Sequence, residues 1–286
     1  MVDKNGPARR LILLPVLLLV FFFVAPLLLM AFFSLRPDMR GGLFTLDWTP
    51  TFKQYETIVS GGDYWGLLLV SGRVAFLVAL FGTLLAYPVA YFLVFHVRRR
   101  AGLLLTLLIL PFWTSYLLRI ISWKIILASN GLLNNLLIYL GWIDESTPLL
   151  LYSRSAVVIT LIYVWLPFVA LPIYASLQRI DKSLLEAAAI LGAPPWKAFL
   201  RVTFPLSLPG VIAAFFMVFI PTVGEYITPV LVGGSRGSLY GNIIELYFGD
   251  GLNWPLGSAL ALIMLAAVLV LAGLTARLLN LKRLVG

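Results

Sequence analysis

The sequence predicts an all-α protein that crosses a membrane six times. Of its 286 residues, 61% are hydrophobic and only 12% are charged, whereas about a quarter of the residues in a soluble domain are charged. The mean hydropathy is +1.00. Six segments contain the roughly 20 apolar residues that a helix needs to span a bilayer. They predict a single membrane domain over 1–286, with spans at 11–33, 67–95, 103–123, 155–177, 208–232 and 254–279.

The first apolar segment is predicted to be an uncleaved span. Arg9 and Arg10 precede it, as they would in a signal peptide. Its apolar core is longer than the roughly 7 to 15 residues of a signal peptide, and no A-x-A cleavage pattern follows it. The second and third segments are separated only by a short turn at Arg98–Arg100.

Basic residues concentrate on one side of the predicted spans. They lie near both termini, at Arg98–Arg100 and in the loop over 178–207, whereas most acidic residues lie in the other loops. Loops rich in lysine and arginine remain in the cytoplasm. We therefore expect both termini to be cytoplasmic, with Arg98–Arg100 acting as a topology anchor that also contacts membrane lipid. The long loops on the opposite side cover 34–66, 124–154 and 233–253.

The chain lacks the residues of several kinds of functional site. It has no cysteine and one histidine, His96, which excludes disulfides and thiolate sites and argues against imidazole metal sites. No G-x-x-x-x-G-K-[ST] loop is present, so any ATP and its Mg²⁺ must be bound by another protein. The net charge of +9 reflects orientation in a bilayer rather than nucleic-acid binding. We predict no catalytic residue, metal or cofactor in this chain.

The loop over 178–207 is long for a connection and carries its own helical pattern. Ser183 and Glu186 fit a capping box, and the following apolar residues share one helical face until Gly192. Pro194 and Pro195 then suit the start of a second short helix, which Pro205 is predicted to end. Such a segment can lie on the membrane surface or fill a groove in a partner protein. The helical spacing of its apolar residues is compatible with both interpretations.

The same loop resembles the EAA loop of ABC-importer permeases, EAA-x3-G-x9-I-x-L-P. Glu186, Ala187, Ala188, Gly192 and Pro205 match, while Val202 and Phe204 replace the usual Ile and Leu. The resemblance implies a coupling helix that docks on a dimer of ATP-binding subunits. Glu186 would contact the ATPase or cap the helix, the alanines would permit close approach, and Gly192 would make the turn. The remaining implied coupling residues are Ala193, Pro194, Trp196, Lys197 and Phe199.

A second resemblance extends over roughly residues 70–280. The chain is similar to the spermidine/putrescine permeases, although permeases for other solutes share parts of these motifs. It implies a second permease chain, two ATPase copies, a periplasmic polyamine-binding protein and a bacterial inner-membrane location. The motifs that carry it are LPFWTSYLLRI (110–120), the run over 132–144, IDKSLLEAA (180–188), GEYITPVLVGG (224–234), GNII (241–244) and NWPLGSA (253–259).

Glu225 is the acidic residue of an otherwise uncharged stretch from Val202 to Ser235. A charge within a span costs about 2.5–3.5 kcal/mol on insertion scales, so a compensating role is expected. A cation passing the site would compensate it, and Tyr226 beside it would add cation–π attraction. The alternatives are a structural pair with Arg73 or Arg119, or an ordinary helix end near the outer interface.

Other residues near the predicted path have two readings. Three aromatic side chains could line a cation path or simply pack at the membrane interface: Trp113, Tyr116 and Trp123. The long side chains of Arg119 and Arg73 could extend their charged ends to the membrane interface. Alternatively, these arginines could form the salt bridges of a gate.

The function predicted from the sequence is a permease subunit of an ATP-driven importer of polyamines. One alternative is a permease for an anion, an iron chelate or a phosphonate, in which Glu225 is structural. A stand-alone secondary carrier and a membrane-embedded enzyme are less favoured. The carrier would respond to an ion gradient alone, and the enzyme would need a clustered catalytic set that this chain lacks.

Overall fold

The computed structural model describes residues 6–37, 49–97, 100–145 and 151–279. These residues form helices joined by turns, and none of them forms a strand. The predicted all-α class is therefore confirmed. The α-helices are α1 (Gly6–Ser34), α2 (Lys53–Ser60), α3 (Tyr64–Phe92), α4 (Ala101–Ile109), α5 (Tyr116–Leu127), α6 (Leu132–Tyr139), α7 (Arg154–Gln178), α8 (Lys182–Ile190), α9 (Pro195–Ala198), α10 (Phe204–Val223), α11 (Tyr240–Phe248) and α12 (Trp254–Leu279).

Six helical stretches in the described part of the chain are long and apolar enough to cross a membrane, which agrees with the predicted number. Each has at least the roughly 20 residues that a helix needs to span the hydrocarbon layer. The stretches are Pro15–Ser34, Tyr64–Val97, Tyr116–Tyr139, Arg154–Gln178, Pro195–Val223 and Trp254–Thr275.

The third predicted span, 103–123, does not form one helix. Helix α4 continues as a 3₁₀ turn to Trp113, and Thr114 and Ser115 then adopt extended backbone with ψ of 156° and 136°. Pro111 has no N–H with which to continue the α-helical ladder. The structure therefore has a shorter apolar helical stretch, Ala101–Trp113, before the candidate span that begins at Tyr116.

The fifth predicted span, 208–232, is also shifted. The helical stretch begins thirteen residues earlier, at Pro195, and ends at Val223. Gly224 ends α10, and a separate π-helical turn covers Pro229–Gly233. An apolar sequence conceals this break, since the run from Phe215 to Val232 contains few polar residues.

The chain divides into two compact units, and the description of 1–286 as a single domain stays a prediction. One unit comprises Met1–Tyr64 and Ile243–Ala267. Within it the Tyr55 hydroxyl donates to Ser34 Oγ at 2.9 Å, and Gln54 Nε2 donates to the Arg36 carbonyl at 3.2 Å. These bonds attach α2 to the end of α1.

The other unit, Trp65–Asn242 with Val268–Gly286, has its core where α7 packs on α10. The helices approach closely at Gly210, where an added Cβ would lie 2.6 Å from the Pro172 carbonyl oxygen. The Ser176 hydroxyl donates across the same contact to the Ser207 carbonyl at 3.4 Å. Small residues at such crossings allow membrane helices to approach backbone to backbone.

Replacing Gly210 with leucine is expected to destabilise the α7–α10 contact. The larger side chain meets fixed backbone, and overpacking of this kind costs about 1–3 kcal/mol. The measurement is the thermal unfolding midpoint of the detergent-purified protein. Gly72→Leu is the matched control, since an added Cβ at Gly72 meets no heavy atom within 4 Å. Equal midpoints for the two variants would contradict the close-contact account.

Candidate functional site

The coupling segment, defined as residues 178–207, begins with a capped helix. Asp181 precedes α8, and its Oδ1 accepts a hydrogen bond from the Ser183 backbone N–H at 3.0 Å. The predicted capping box with Ser183 as N-cap is therefore wrong. Helix α8 starts two residues earlier than that box requires, because aspartate is itself a preferred N-cap.

Acid is expected to weaken this cap. Hydrogen bonds from the Ser183 backbone and then from its side chain hold the pKa of Asp181 below its ordinary value. The cap's contribution is thus fully present above the unfolded pKa of about 3.9 and is lost as pH falls through the lower folded pKa. Asp181→Ala should speed amide exchange in the first turn of α8 at neutral pH, whereas Asp181→Asn should not, since asparagine caps equally well. Unchanged exchange in the alanine variant would contradict the role of Asp181.

Gly192 ends α8 in a Schellman arrangement. The Gly192 N–H donates to the Ala189 carbonyl at 2.9 Å, and the Ala193 N–H donates to the Ala188 carbonyl at 3.0 Å. The φ angle of Gly192 is +75°, and an added Cβ would meet nothing within 4 Å. The position therefore needs glycine for its backbone conformation and not for space.

The second half of the segment differs from the prediction at Pro205. Helix α9 passes into a π-helical turn, Phe199–Thr203, and then directly into α10. The Phe204 N–H donates to the Phe199 carbonyl across this wide turn. Pro205 follows at the second position of α10, where a missing N–H is tolerated. Pro205 therefore does not end the helix, and the coupling segment is continuous with α10.

The turn between α8 and α9 presents apolar side chains outward. Ile190 and Leu191 are each 86% exposed, and Trp196 is 61% exposed. Lys197 Nζ lies 5.5 Å from the centroid of the Trp196 ring. The other predicted coupling residues are exposed at Glu186, Ala187 and Gly192 and half-buried at Ala188, Ala193, Pro194, Phe199 and Pro205. An exposed apolar surface of this kind is suited to a groove in a partner protein.

A second group of residues, the Glu225 cluster, lies beyond the far end of α10. It consists of Glu225, Tyr116 and Thr228. Glu225 Oε1 accepts hydrogen bonds from the backbone N–H groups of Ile227 and Thr228, each at 3.0 Å. Oε2 accepts from the Tyr116 hydroxyl at 2.8 Å, and that hydroxyl lies 3.0 Å from Thr228 Oγ1. The carboxylate thus caps the segment after the break and attaches it to α5.

Among the described residues, Glu225 forms no ion pair with Arg73 or Arg119. Arg119 is 7% exposed. Its guanidinium carbon lies 5.1 Å and 5.8 Å from the ring centroids of Phe112 and Tyr116. Its Nη1 donates to the Val164 carbonyl at 3.5 Å. Arg119 is thus held among aromatic rings beside the Glu225 cluster.

The other predicted path residues are placed differently. Trp113 is 84% exposed on the 3₁₀ turn after α4. Tyr226 is 42% exposed. Its backbone carbonyl accepts a hydrogen bond from Asn242 Nδ2 at 2.8 Å. Sequence reasoning missed Thr228, a member of the Glu225 cluster, and Asn242, which bonds to the backbone next to it. The Glu-x-x-Thr spacing of Glu225 and Thr228 is a local capping signal that could have found the first of them.

Gly241 explains how α11 approaches this site. An added Cβ at Gly241 would lie 2.6 Å from the Gly224 carbonyl oxygen and 2.8 Å from that of Glu225. The Tyr240 N–H also donates to Ser71 Oγ at 2.7 Å. The backbone around Glu225 is thus held by direct contact with the start of α11.

Comparison with protein families identifies the chain. The family model for the binding-protein-dependent transport system inner membrane component matches residues 8–284. The chain belongs to this family. It is 40% identical over 223 residues to the spermidine/putrescine transport system permease protein PotB of Escherichia coli strain K12, a match that covers 77% of this chain and 80% of the relative. It is 39% identical over 209 residues to PotB of Haemophilus influenzae, covering 72% of this chain and 71% of the relative.

Solved structures share the fold of this family member. A chain of the bacterial alginate ABC transporter, in complex with an alginate-bound periplasmic protein, matches with a TM-score of 0.72 and 16% identity. The match covers 94% of this chain and 92% of the other. The predicted permease resemblance is confirmed, and the chain is a membrane-spanning permease subunit of a transport system.

Proposed function

We propose that this permease subunit translocates a polyamine such as putrescine or spermidine. The observation that carries the proposal is the 40% identity over 223 residues to a permease named for spermidine and putrescine transport. The Glu225 cluster supports it chemically, because a half-buried acidic residue suits a cationic substrate.

The proposed assembly contains proteins that supply what this chain lacks. A dimer of ABC ATPases binds ATP and Mg²⁺, since the sequence has no phosphate-binding loop of its own. A second, homologous permease completes the path, and a periplasmic binding protein delivers the substrate to the outer loops. Both termini and the coupling segment lie in the cytoplasm, on the side favoured by the basic residues.

The coupling segment is proposed to transmit the ATPase motion along α10. The ATPases receive the exposed turn formed by Ile190 and Leu191, and nucleotide-driven closure moves that turn. Within the segment, the π-helical turn at Phe199–Thr203 joins α9 to α10 without a loop. Helix α10 has 20 residues, which corresponds to about 30 Å at 1.5 Å per residue. A displacement at one end is therefore delivered to the Glu225 cluster at the other.

Glu225 is proposed to have both a structural and a transport role. An ionised carboxylate offers about four acceptor positions. Three are filled by the amides of Ile227 and Thr228 and by the Tyr116 hydroxyl. The negative charge and one acceptor position remain for an ammonium group. Tyr226 offers an exposed ring beside it for a cation–π contact.

Uptake of labelled putrescine and spermidine tests this function. The chain is reconstituted in vesicles with its copurified partners and the binding protein, and uptake is measured with and without ATP in the nucleotide-facing compartment. Saturable, ATP-dependent uptake is expected. An active ATPase complex that takes up no polyamine would refute the substrate and leave a permease for another solute. Uptake driven by an ion gradient without ATP would instead indicate a secondary carrier.

A further inference from the structure

A cavity of about 300 Å³ lies between α3 and α7, near the end at which both helices begin. Its polar lining comes from Arg73 on α3 and from Arg154 and Ser155 on α7. Its apolar lining includes Leu77, Val158 and Ile159. The proposed polyamine path does not use this cavity, and a polyamine would be repelled by its two guanidinium groups.

The charged residues that line the cavity are all positive. Its lining contains two arginines and no acidic residue, as far as the described residues extend. Both arginines are exposed, and within the described ranges neither side chain has a hydrogen-bond or ion-pair partner. Arginine binds phosphate groups through a fork of N–H donors. The cavity therefore fits an anionic group that the protein does not itself provide.

Beyond the two arginines the cavity is lined by apolar side chains of both helices, and Val70 and Val74 flank Arg73. Leu77 lies one helical turn beyond Arg73, and Val158 and Ile159 lie one turn beyond Arg154 and Ser155. A free inorganic anion would gain nothing from the apolar lining. A molecule with an anionic head and a hydrocarbon tail would contact both the arginines and the apolar lining.

The depth of Arg73 in the membrane agrees with a molecule that has an anionic head and a hydrocarbon tail. The helical stretch Tyr64–Val97 has 34 residues, about 51 Å at 1.5 Å per residue, which exceeds the roughly 30 Å hydrocarbon layer by about 10 Å at each end. Arg73 lies nine residues from its start, or about 14 Å along the axis. Its long side chain can therefore reach the level of the lipid phosphates.

We propose that this cavity binds one anionic phospholipid, with its phosphate between Arg73 and Arg154 and an acyl chain along Leu77, Val158 and Ile159. Phosphatidylglycerol is the probe of this chemistry. Lipid binding in this cavity does not depend on the transported substrate, so its test is independent of the polyamine proposal.

Native mass spectrometry of the detergent-solubilised full chain tests the site. Dioleoyl phosphatidylglycerol is titrated against dioleoyl phosphatidylcholine, with inorganic phosphate as a competitor. We expect one phosphatidylglycerol per chain, at least about tenfold weaker binding of phosphatidylcholine because it carries no net charge, and no displacement by equimolar phosphate. Equal binding of the two lipids would overturn the proposal. Displacement by phosphate would overturn the lipid as the occupant.

Variants locate the site. The double variant Arg73→Gln/Arg154→Gln should lower phosphatidylglycerol binding by about tenfold or more, because two charge-assisted contacts are lost. Arg73→Lys/Arg154→Lys keeps the charge and should retain most of the binding. Arg277→Gln removes an exposed arginine that does not line the cavity and should leave binding unchanged. Loss of binding in Arg277→Gln equal to that in the double variant would refute a specific site.

Discussion

Replacing Gly192 with valine is expected to lower ATP-driven uptake by at least about tenfold while the protein still inserts. The glycine has φ of +75°, and a left-handed conformation costs an L-residue roughly 1–2 kcal/mol, most for a β-branched one. The chain relieves this strain by changing the turn between α8 and α9. That change moves Ile190 and Leu191, which are 86% exposed and form the proposed docking surface. The measurement is uptake into vesicles that contain equal amounts of each permease.

Two controls separate the turn from general strain. Gly192→Asn should keep much of the uptake, since asparagine tolerates the left-handed conformation. Gly141→Val introduces comparable strain at φ of +68°, also without a neighbour within 4 Å, but outside the coupling segment. Binding of the ATPase to this variant should be normal, even if delivery of substrate at the outer loops changes, whereas Gly192→Val should weaken ATPase binding. Glu186→Lys, which reverses an exposed charge on α8, should abolish uptake. Retained uptake in both coupling variants would refute the coupling assignment.

Replacing Glu225 with glutamine is expected to raise the KM for polyamine uptake about tenfold while assembly is preserved. Glutamine keeps an oxygen for the amides of Ile227 and Thr228, so the cap survives. The variant loses the negative charge, and a hydrogen bond to a charged group is worth roughly 1.5–3 kcal/mol. Initial uptake rates over a range of spermidine concentrations measure the change.

Tyr116→Phe distinguishes charge from structure at the same site. It removes the 2.8 Å bond to Glu225 Oε2 but leaves the carboxylate charged. We expect a smaller KM effect than for Glu225→Gln. Glu245→Gln, which removes an exposed acid on α11, is the matched control for loss of a negative charge and should change KM less than Glu225→Gln does. Kinetics of Glu225→Gln that equal those of the unaltered protein would reject a substrate role for Glu225.

Composition and local patterns predict much of this fold. Apolar runs of span length gave six crossings because the hydrocarbon layer fixes the length of a helix that satisfies its own backbone. The end of α8 at Gly192 followed from a local need for positive φ. Errors arose where two local signals compete. Asp181 precedes Ser183 by two residues and takes the cap, and a π-helical turn carries the chain through Pro205.

The Glu225 cluster could not be derived in the same way. The Tyr116–Glu225 hydrogen bond joins residues 109 positions apart, and no local pattern fixes such a pairing. The break at Thr114 and Ser115, which starts α5 at Tyr116, is equally concealed within an apolar run. Sequence reasoning therefore identified Glu225 as chemically unusual but left its partner open.

Site-directed cross-linking shows whether the turn between α8 and α9 docks on the ATPase. Because the chain has no cysteine, Ile190→Cys introduces a single thiol on a residue that is 86% exposed. Tyr139→Cys is the matched control, since Tyr139 is 87% exposed on α6, on the opposite side of the proposed topology. A short bifunctional maleimide is applied to the assembled transporter, whose ATPase carries single cysteines around its cleft. We expect a permease–ATPase product from Ile190→Cys that changes in yield on ATP binding, and none from Tyr139→Cys. No product from Ile190→Cys in an assembly that hydrolyses ATP would show that this turn does not dock on the ATPase.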